Sequence, residues 1–504
     1  MTAPLPEAPD TMRNPHPGAG ATINLSLISH TNAGKTTLVR TLLAQDVGEV
    51  RDAAHVTEVA TGYVMLQAHS DTLMLWDTPG FGDTGRLLKR LRLSGNPIGW
   101  LLTQVWDRFR DRPLWSSQQA VRNARDQADI ILYLVNASED PQDAAYVALE
   151  MEILDWIGKP VLLLLNQMGP PRAGAVAEEG RWTAHLHGYR VVQGALTLDA
   201  FARCWVQEGT LLRQVAALLP PERRPAMGRL AEAWREQNLV RFQRSMAVLA
   251  EQLAAMAVDR EPVGERKWRD ALSGAIGRKE EAPEERRAMQ KMSERLESGI
   301  ARSTEQLIRL HGLSGKAARE VLTRLQKDYA SSAPAKEGFA AVLGGIMSGA
   351  VGGLAADLAA GGLTLGGGMI VGGVLGALGA GGLARGYNIV RGDAEPSVRW
   401  SDDLFQSLSC AALLRYLAVA HFGRGRGDYE ESEHPAFWQE AIGEALAPHR
   451  EALRRIAQRA RTDPPESLRP ELEALLADSA QRLLVQLYSE AGDIFAGRAR
   501  LSGP

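Results

Sequence analysis

The residue types best suited to bind phosphate lie near the start of the chain, in the string SHTNAGKTT at positions 29–37. In a loop of this kind, backbone N–H groups point at phosphate oxygens, a lysine neutralises their charge and a hydroxyl binds Mg²⁺. Lys35 is therefore expected to contact the β and γ phosphates of a nucleotide, and Thr36 to bind the metal. The residues predicted to bind the nucleotide here are Asn32, Ala33, Gly34, Lys35, Thr36 and Thr37.

The first position of this string differs from the usual pattern, in which a glycine stands there. Ser29 takes that place. Because serine disfavours a positive φ angle, the chain must leave the preceding strand without entering the left-handed region. A glycine, lysine and threonine in succession also arise by chance, so a second motif is needed to support a nucleotide site.

That second motif, DTPG at positions 77–80, directly follows an apolar run. Asp77 is expected to hold the Mg²⁺ shell through water, and the Gly80 N–H to contact the γ phosphate. A further position lies in the loop-like stretch at 46–58, where Thr57 is predicted to join the metal site when a γ phosphate is present. The alternative for Thr57 is an exposed threonine at the start of a strand.

Alternating strands and helices must position these motifs. Continuous apolar runs are typical of strands that are buried on both faces of a parallel sheet. We therefore predict an α/β doubly wound P-loop domain at residues 21–219. Its predicted strands are 22–28, 59–67, 72–76, 130–135, 161–165 and 189–193, with helices at 36–44 and 198–219.

With these motifs in this order, the first part of the chain resembles the Era, TrmE and EngA branch of bacterial GTPases. The P-loop asparagine, the DTPG string and an asparagine after a later strand carry the resemblance. The whole chain also resembles a bacterial family in which such a GTPase domain precedes a helical domain of unknown function. The resemblance implies a nucleoside triphosphate hydrolase that binds GTP together with Mg²⁺.

The resemblance also assigns roles by position. Asn32 matches a P-loop asparagine that binds K⁺ in some members of the branch, where the ion supplies positive charge at the transition state. Phe81 stands where Ras-like proteins keep a catalytic glutamine, and an apolar side chain cannot orient water. Hydrolysis would then depend on K⁺, on a partner's residue or on dimerisation. The residues that we predict to act in hydrolysis are Lys35, Thr57, Gly80 and Asn32.

The motif that reads the base departs from the family pattern, which is NKxD after a strand. Asn166 is present, Gln167 replaces the lysine that packs on the base, and Gly169 replaces the aspartate that accepts both guanine N–H groups. Loss of that contact costs on the order of 1–3 kcal/mol of discrimination between bases. The sequence therefore does not decide whether the site prefers guanine or adenine. Ala195, in the string GAL, is predicted as the last base contact, with a chance match as the alternative.

Residues 85–115 form an insertion in the second switch, ahead of a helix predicted to begin near Ser116. Seven basic residues and two acidic ones lie between positions 86 and 112. Basic and aromatic residues together suit an anionic membrane surface or a protein effector. The alternatives are an elaborated switch that packs on its own domain and a nucleic-acid surface, which the composition favours least. The aromatic residues are Trp100, Trp106, Phe109 and Trp115.

Residues 220–335 and 389–504 have helical spacing, whereas residues 336–388 are dominated by glycine and alanine. The segment 339–384 contains 16 glycines, 10 alanines and one charge, Asp357. Each glycine costs a helix in water about 1 kcal/mol, while small residues at four-residue spacing let helices pack closely in membranes. Each half of the segment is long enough to cross a bilayer. We predict a membrane-inserting helical hairpin; the alternative is a hairpin buried in a soluble helical domain.

Composition limits the remaining possibilities. The length of 504 residues allows several domains, and a net charge of −3 argues against a chain whose whole surface binds nucleic acid. Only two cysteines occur, far apart, in keeping with a reducing compartment. Residues 1–20 lack a basic start and an apolar run, so we expect a disordered cytosolic tail there.

These features together predict a P-loop GTPase domain followed by a mostly α-helical domain with a Gly/Ala-rich hairpin. We expect a cytoplasmic protein at the inner face of the bacterial plasma membrane. It would bind a nucleoside triphosphate, with GTP as the expected nucleotide, and hydrolyse it slowly as a molecular switch. One alternative is a nucleotide-binding scaffold without significant turnover, and another is a soluble switch that acts on ribosomes or RNA.

Overall fold

The computed structural model describes residues 20–31, 33–44, 59–103, 111–166, 175–198, 204–263, 283–313, 387–390, 397–421, 436–488 and 490–497. The Gly/Ala-rich segment 339–384 lies outside these ranges, as do Asn32, Thr57 and Gln167. The interpretations given to those positions therefore stay predictions.

The first domain is built on a six-stranded sheet in the order β2-β3-β1-β4-β5-β6. All neighbouring strands run parallel except the edge strand β2, which is antiparallel to β3. This order confirms the predicted α/β doubly wound architecture. The strands are β1 (Thr22–Ser29), β2 (Thr61–Ala68), β3 (Asp71–Asp77), β4 (Ile130–Asn136), β5 (Val161–Asn166) and β6 (Val192–Thr197).

Helices cover both faces of this sheet, because β1, β4 and β5 are buried on both sides and need apolar partners there. The helix that follows the P-loop, α1, begins at the lysine of the motif. The helices of the domain are α1 (Lys35–Leu43), α2 (Thr84–Leu91), α3 (Pro97–Thr103), α4 (Arg112–Asp126), α5 (Ala145–Ile157), α6 (Ala175–His185) and α7 (Trp205–Leu218).

Three predicted boundaries were wrong. The last strand starts at Val192 and not at Tyr189, since the Tyr189 N–H closes a turn on the Leu186 carbonyl over 3.0 Å. Leu198 continues the sheet by donating to the Leu165 carbonyl, and the closing helix begins only at Trp205. Helix α4 begins at Arg112, ahead of the predicted Ser116, with a proline in its first turn, where proline is tolerated.

The second region is mostly helical, as predicted, and starts with the long helix α8 (Arg224–Val258). A small antiparallel sheet in the order β7-β9-β8 was not predicted, because its strands are short and join segments far apart in sequence. Its strands are β7 (Arg260–Pro262), β8 (Tyr387–Val390) and β9 (Ser397–Trp400). The further helices are α9 (Pro283–Leu310), α10 (Asp402–Ala420), α11 (Ala436–Leu446), α12 (Arg450–Arg459), α13 (Pro465–Leu487) and α14 (Ala491–Ala496).

One continuous apolar core joins the two regions. On β4, residues 130, 132 and 134 face this core, whereas residues 131, 133 and 135 face a separate core under α2 to α6. The joint core continues through α7 and α8 to α10 and α13. At its centre the indole of Trp205 contacts the rings of Phe242 and Phe495 and donates to the Tyr416 hydroxyl over 3.2 Å. The helical region therefore packs directly against the sheet that carries the P-loop.

Within the ranges given above, none of the helices combines the length and apolar character that crossing a membrane requires. The segment predicted to form a membrane hairpin is not among the residues to which this finding applies.

Candidate functional site

The P-loop leaves β1 at Ser29 and enters α1 at Lys35. Gly34 caps the helix with φ 89°, a left-handed conformation that glycine adopts without strain. A Cβ atom on Gly34 would also lie 3.0 Å from Nδ2 of Asn166, a tight contact that adds to the conformational reason for glycine. Ser29 ends β1 without a positive φ angle, which confirms the expectation for serine at this place.

Lys35 lies buried inside the loop that precedes it. Its ammonium group donates to the Ser29 hydroxyl over 2.8 Å and to the His30 carbonyl over 3.3 Å. Burial lowers the pKa of Lys35 to about 8, and the carboxylates of Asp77 and Glu150 partly oppose this shift. Both of these oxygens are uncharged. A triphosphate, with several negative charges, would be a stronger partner for the ammonium group at this place.

Thr36 and Asp77 form the pair expected at a magnesium site. The Thr36 hydroxyl donates to Oδ2 of Asp77 over 2.8 Å, so the first turn of α1 meets the end of β3. A hydroxyl and a carboxylate are hard oxygen ligands, which suit Mg²⁺. Thr78 fixes the loop after β3, because its hydroxyl donates to the Leu27 carbonyl on β1 over 2.6 Å.

The DTPG loop lies directly against the P-loop. Phe81 donates its backbone N–H to the Ser29 carbonyl over 2.9 Å, and its carbonyl accepts from the Thr31 N–H over 3.3 Å. A Cβ atom on Gly80 would lie 3.0 Å from Nζ of Lys35 and 3.0 Å from the Thr31 Cα. This close approach explains the glycine. The Phe81 side chain is fully buried in the core under α2 to α6, so it cannot orient a water molecule.

Asn166 and Ala195, both predicted to contact the base, lie in different places in the sheet. Asn166 is buried at the end of β5, and its side-chain amide donates to the Ala33 carbonyl over 3.1 Å. It thus supports the P-loop, a contact that the sequence did not reveal. Ala195 lies inside β6 opposite Leu163 and not in the loop that follows the strand. Because β6 runs on to Thr197, Ala195 lies within the strand, and its role as the last base contact stays a prediction.

Sequence reasoning missed Glu150, which lies on α5 and is fully buried. Its Oε1 lies 2.6 Å from Nδ1 of His30 and accepts from the Thr84 hydroxyl over 3.0 Å. Its Oε2 accepts from the Tyr133 hydroxyl over 2.6 Å. Burial, reinforced by this carboxylate, raises the pKa of Tyr133 well above its usual range. The one available signal was spacing: Glu150 follows Val147 by three positions and precedes Leu154 by four, which places it on the apolar face of the helix.

The described part of the switch insertion packs on its own domain. Leu87, Leu88 and Leu91 of α2 are buried in the core under α2 to α6, as are Ile98 and Leu101 of α3. Arg86 and Arg92 form ion pairs within the domain. Arg86 contacts Asp111 at 2.9 Å, and Arg92 contacts Glu152 at 2.5 Å. Leu93, with 89% of its surface exposed, points the other way.

Two family models match the sequence. Residues 24–167 match a family described as 50S ribosome-binding GTPases. Residues 191–489, more than half of the chain, match a domain of unknown function, DUF3482. No curated protein sequence matches the chain.

Several solved structures are similar at low identity. Era in complex with MgGDPNP and a fragment of 16S ribosomal RNA is 16% identical, with 40% of this chain and 58% of that chain covered, at a TM-score of 0.29. A variant of Era from Aquifex aeolicus bound to GDP·AlF4⁻ is 14% identical, covering 57% and 98%, also at 0.29. NFeoB from S. thermophilus is 13% identical, covering 42% and 87%, at 0.22. The chain thus spans little more than half of the first of these proteins.

Proposed function

Because the chain belongs to the DUF3482 family and carries a P-loop GTPase domain ahead of that domain, we propose that it binds GTP with Mg²⁺ and hydrolyses the bond between the β and γ phosphates. The observation that carries the proposal is the meeting of two motifs, the P-loop and DTPG, at one edge of the sheet. The Lys35 ammonium, the Thr36–Asp77 pair and Gly80 all lie around a single loop.

Each residue has a defined part in binding. Backbone N–H groups from Ala33 to Thr37 point at the phosphates, and Lys35 neutralises the β and γ oxygens. Thr36 and Asp77 are the residues that would hold Mg²⁺, with Thr57 joining them when a γ phosphate is present. When bound, Mg²⁺ supplies positive charge at the oxygens that bridge and flank the scissile bond.

The hydrolysis step needs a water oxygen to bond to the γ phosphorus while the bond to the bridging oxygen breaks. The products are GDP and inorganic phosphate, and the proton of the attacking water passes to solvent or phosphate. Since Phe81 is buried, no side chain at that position orients the water. We therefore propose slow turnover that K⁺ at Asn32, a partner's residue or dimerisation accelerates, as suits a switch.

Base selectivity follows from the residues after β5. Asn166 and Gln167 would lie at the base, but position 169 offers no carboxylate for the guanine N–H groups. We therefore propose a modest preference for GTP over ATP. In a competition titration, a strong preference for GTP would mean that another group reads the base, and a Gly169→Asp substitution would then change little.

We propose that the protein works at the inner face of the plasma membrane, through the segment 339–384, with an effector or anionic lipid at residues 86–115. The support is the near-absence of charge in the first segment and the exposed Leu93 beside cationic helix α2 in the second. Flotation with anionic vesicles tests this, because deletion of residues 338–386 should abolish it. Recovery with ribosomes and not with vesicles would favour the alternative of a soluble switch on ribosomes or RNA.

The direct test of the proposed function is phosphate release by the purified protein with GTP and Mg²⁺. We expect slow release that Lys35→Ala and Thr36→Ala abolish, together with loss of triphosphate binding in a fluorescent-nucleotide titration. Tight binding without release would instead favour the scaffold, which the buried Phe81 makes the strongest alternative. Unchanged affinity in both variants would refute the assignment of the site.

A further inference from the structure

The Glu150 carboxylate joins the two segments that are expected to meet the γ phosphate. His30 belongs to the P-loop, and Thr84 is the first residue of α2, four positions after Gly80. The third partner, Tyr133, lies on β4 in the centre of the sheet. A single buried side chain therefore ties the P-loop and the start of the second switch to the rigid core.

A carboxylate in this position depends on all of its partners. A buried charged group without hydrogen bonds is strongly disfavoured, and a buried acceptor left unsatisfied is destabilised because no water replaces the lost partner. Movement of α2 away from the P-loop would break the bond from Thr84 and leave Oε1 of Glu150 with one partner fewer. The positions of Thr84 and His30 are thus linked through Glu150.

The surrounding backbone makes α2 move together with Thr84. The Asp83 carboxylate caps the helix by accepting from the Arg86 N–H over 3.0 Å, and the Thr84 hydroxyl also contacts the Gly82 carbonyl at 3.0 Å. The short segment from Gly80 to Thr84 is therefore held at its first end by the P-loop backbone and at its last end by Glu150.

We propose that Glu150 is a positioning residue that fixes the start of α2 against the P-loop and so sets the distance of the Gly80 N–H from the γ phosphate. The proposal rests on the proposed hydrolysis of GTP at this site. Through Glu150, α5 couples the position of the second switch to the core of the domain, where the Tyr133 hydroxyl donates to the other oxygen of the same carboxylate.

Three variants test this in the full-length protein. Glu150→Gln keeps the size of the side chain and removes one acceptor oxygen and the charge. Thr84→Val removes the hydroxyl that links α2 to Glu150, together with its contact to the Gly82 carbonyl, and leaves the Glu150 carboxylate in place. The double variant combines both changes. The matched control is Thr210→Val on α7, a buried helical threonine outside the nucleotide site whose hydroxyl bonds within its own helix.

We expect single-turnover hydrolysis of GTP to fall about tenfold or more in Glu150→Gln and in Thr84→Val, since small displacements of a reacting group cost this much. Affinity for GDP with Mg²⁺ should stay within about threefold, because GDP lacks the γ phosphate that the switch contacts. The double variant should be no slower than the slower single variant, as two changes in one linkage are not additive. Thr210→Val should hydrolyse GTP at the wild-type rate.

Additive losses in the double variant, or a parallel loss of GDP affinity, would overturn the proposal in favour of a general structural role. If Glu150→Gln does not fold, Thr84→Val tests the proposal by the same two measurements, single-turnover hydrolysis of GTP and affinity for GDP. If the wild-type protein does not hydrolyse GTP at all, the proposed function has failed, and this result is distinct from failure of the Glu150 proposal. Amide exchange then decides: α2 should exchange faster in Thr84→Val than in the wild-type protein with a GTP analogue bound, and equal exchange would reject the coupling.

Discussion

The Arg229 guanidinium of α8 donates to the Asp71 carboxylate of β3, with 2.7 Å between Nε and Oδ2. The Asp71 side chain is only 1% exposed, and its other oxygen accepts from the Ala21 N–H over 3.0 Å. Asp71 begins the strand that ends at Asp77, so the helical region holds one end of a strand whose other end lies at the proposed metal site. This ion pair connects the helical region to the sheet beside their joint apolar core.

Arg229→Met should lower the free energy of unfolding by about 1–2 kcal/mol, because it leaves a buried carboxylate oxygen without its charged partner. Urea unfolding measures this. Arg229 holds the pKa of Asp71 below its usual 3.8, so the stabilisation is present above about pH 4 and is lost as the pH falls further. The matched control is Arg309→Met, which breaks the exposed pair with Glu305 and should cost under about 0.5 kcal/mol. Equal losses in the two variants would contradict the assignment.

Gly80→Ala should weaken binding of a GTP analogue about tenfold or more and leave GDP binding within about twofold. The added Cβ would meet Nζ of Lys35 and the backbone of Thr31 at 3.0 Å, so the loop must retreat from the γ phosphate. A lost hydrogen bond to a charged group accounts for a change of this size. Titration of both nucleotides in Mg²⁺ measures the ratio.

Gly85→Ala is the control for that substitution. Gly85 lies in the first turn of α2 with no atom within 4 Å of an added Cβ, so nucleotide binding should not change. The helix should gain up to about 1 kcal/mol, because alanine is the better helix former. If Gly85→Ala weakened the GTP analogue as much as Gly80→Ala does, the effect would come from α2 in general and not from contact at Gly80.

The P-loop could be predicted from sequence because its chemistry is local. Lys35 and Thr36 are adjacent, and the residues that support them follow from one short string and one strand order. Glu150 could not be predicted in the same way, since its partners lie 120, 66 and 17 positions away in the chain. Which side chain meets it depends on how β4, α2 and α5 pack.

Weak local signals also explain the misplaced end of the sheet. Residues 189–193 are apolar enough for a strand, but a turn after α6 uses the first of them, and β6 then extends through Ala195. The small sheet that joins Arg260 to Arg399 has no local signature either. In each case a pairing between distant segments, and not the propensity of the segment itself, determines the structure.

Hydrolysis of GTP should be about tenfold or more faster in KCl than in NaCl at equal ionic strength. The reason is that the buried, apolar Phe81 side chain cannot orient the attacking water. A cation at Asn32 would then supply the positive charge that stabilises the transition state. Asn32→Ala should make the two rates equal without loss of GDP binding. Equal rates in the wild-type protein would count against Asn32 as a K⁺ ligand and would leave a partner or a dimer to supply the charge.

The helical region should lose stability in mild acid, because His421 is buried and His311 is half-buried, and both are held in their neutral form. His421 lies between the rings of Trp438 and Tyr488 and contacts the Leu417 carbonyl at 2.8 Å. Burial lowers its pKa to about 4. His311 lies 3.3 Å from the Ser245 hydroxyl, and burial together with the charge of Arg241 lowers its pKa to about 3.

The sign follows from linkage. Both pKa values are lowered from 6.5, so the unfolded chain takes up protons before the folded one does. Stability is therefore fully present above about pH 6.5 and falls below it, by up to about 1.4 kcal/mol per pH unit for each histidine. Urea unfolding followed by circular dichroism at pH 7.5, 6 and 5 measures the slope. His421→Asn and His311→Gln should each flatten it, since neither replacement titrates, whereas His187→Asn, at an exposed position on the sheet domain, should not. A slope that both buried-site variants leave unchanged would mean that other groups govern the acid sensitivity.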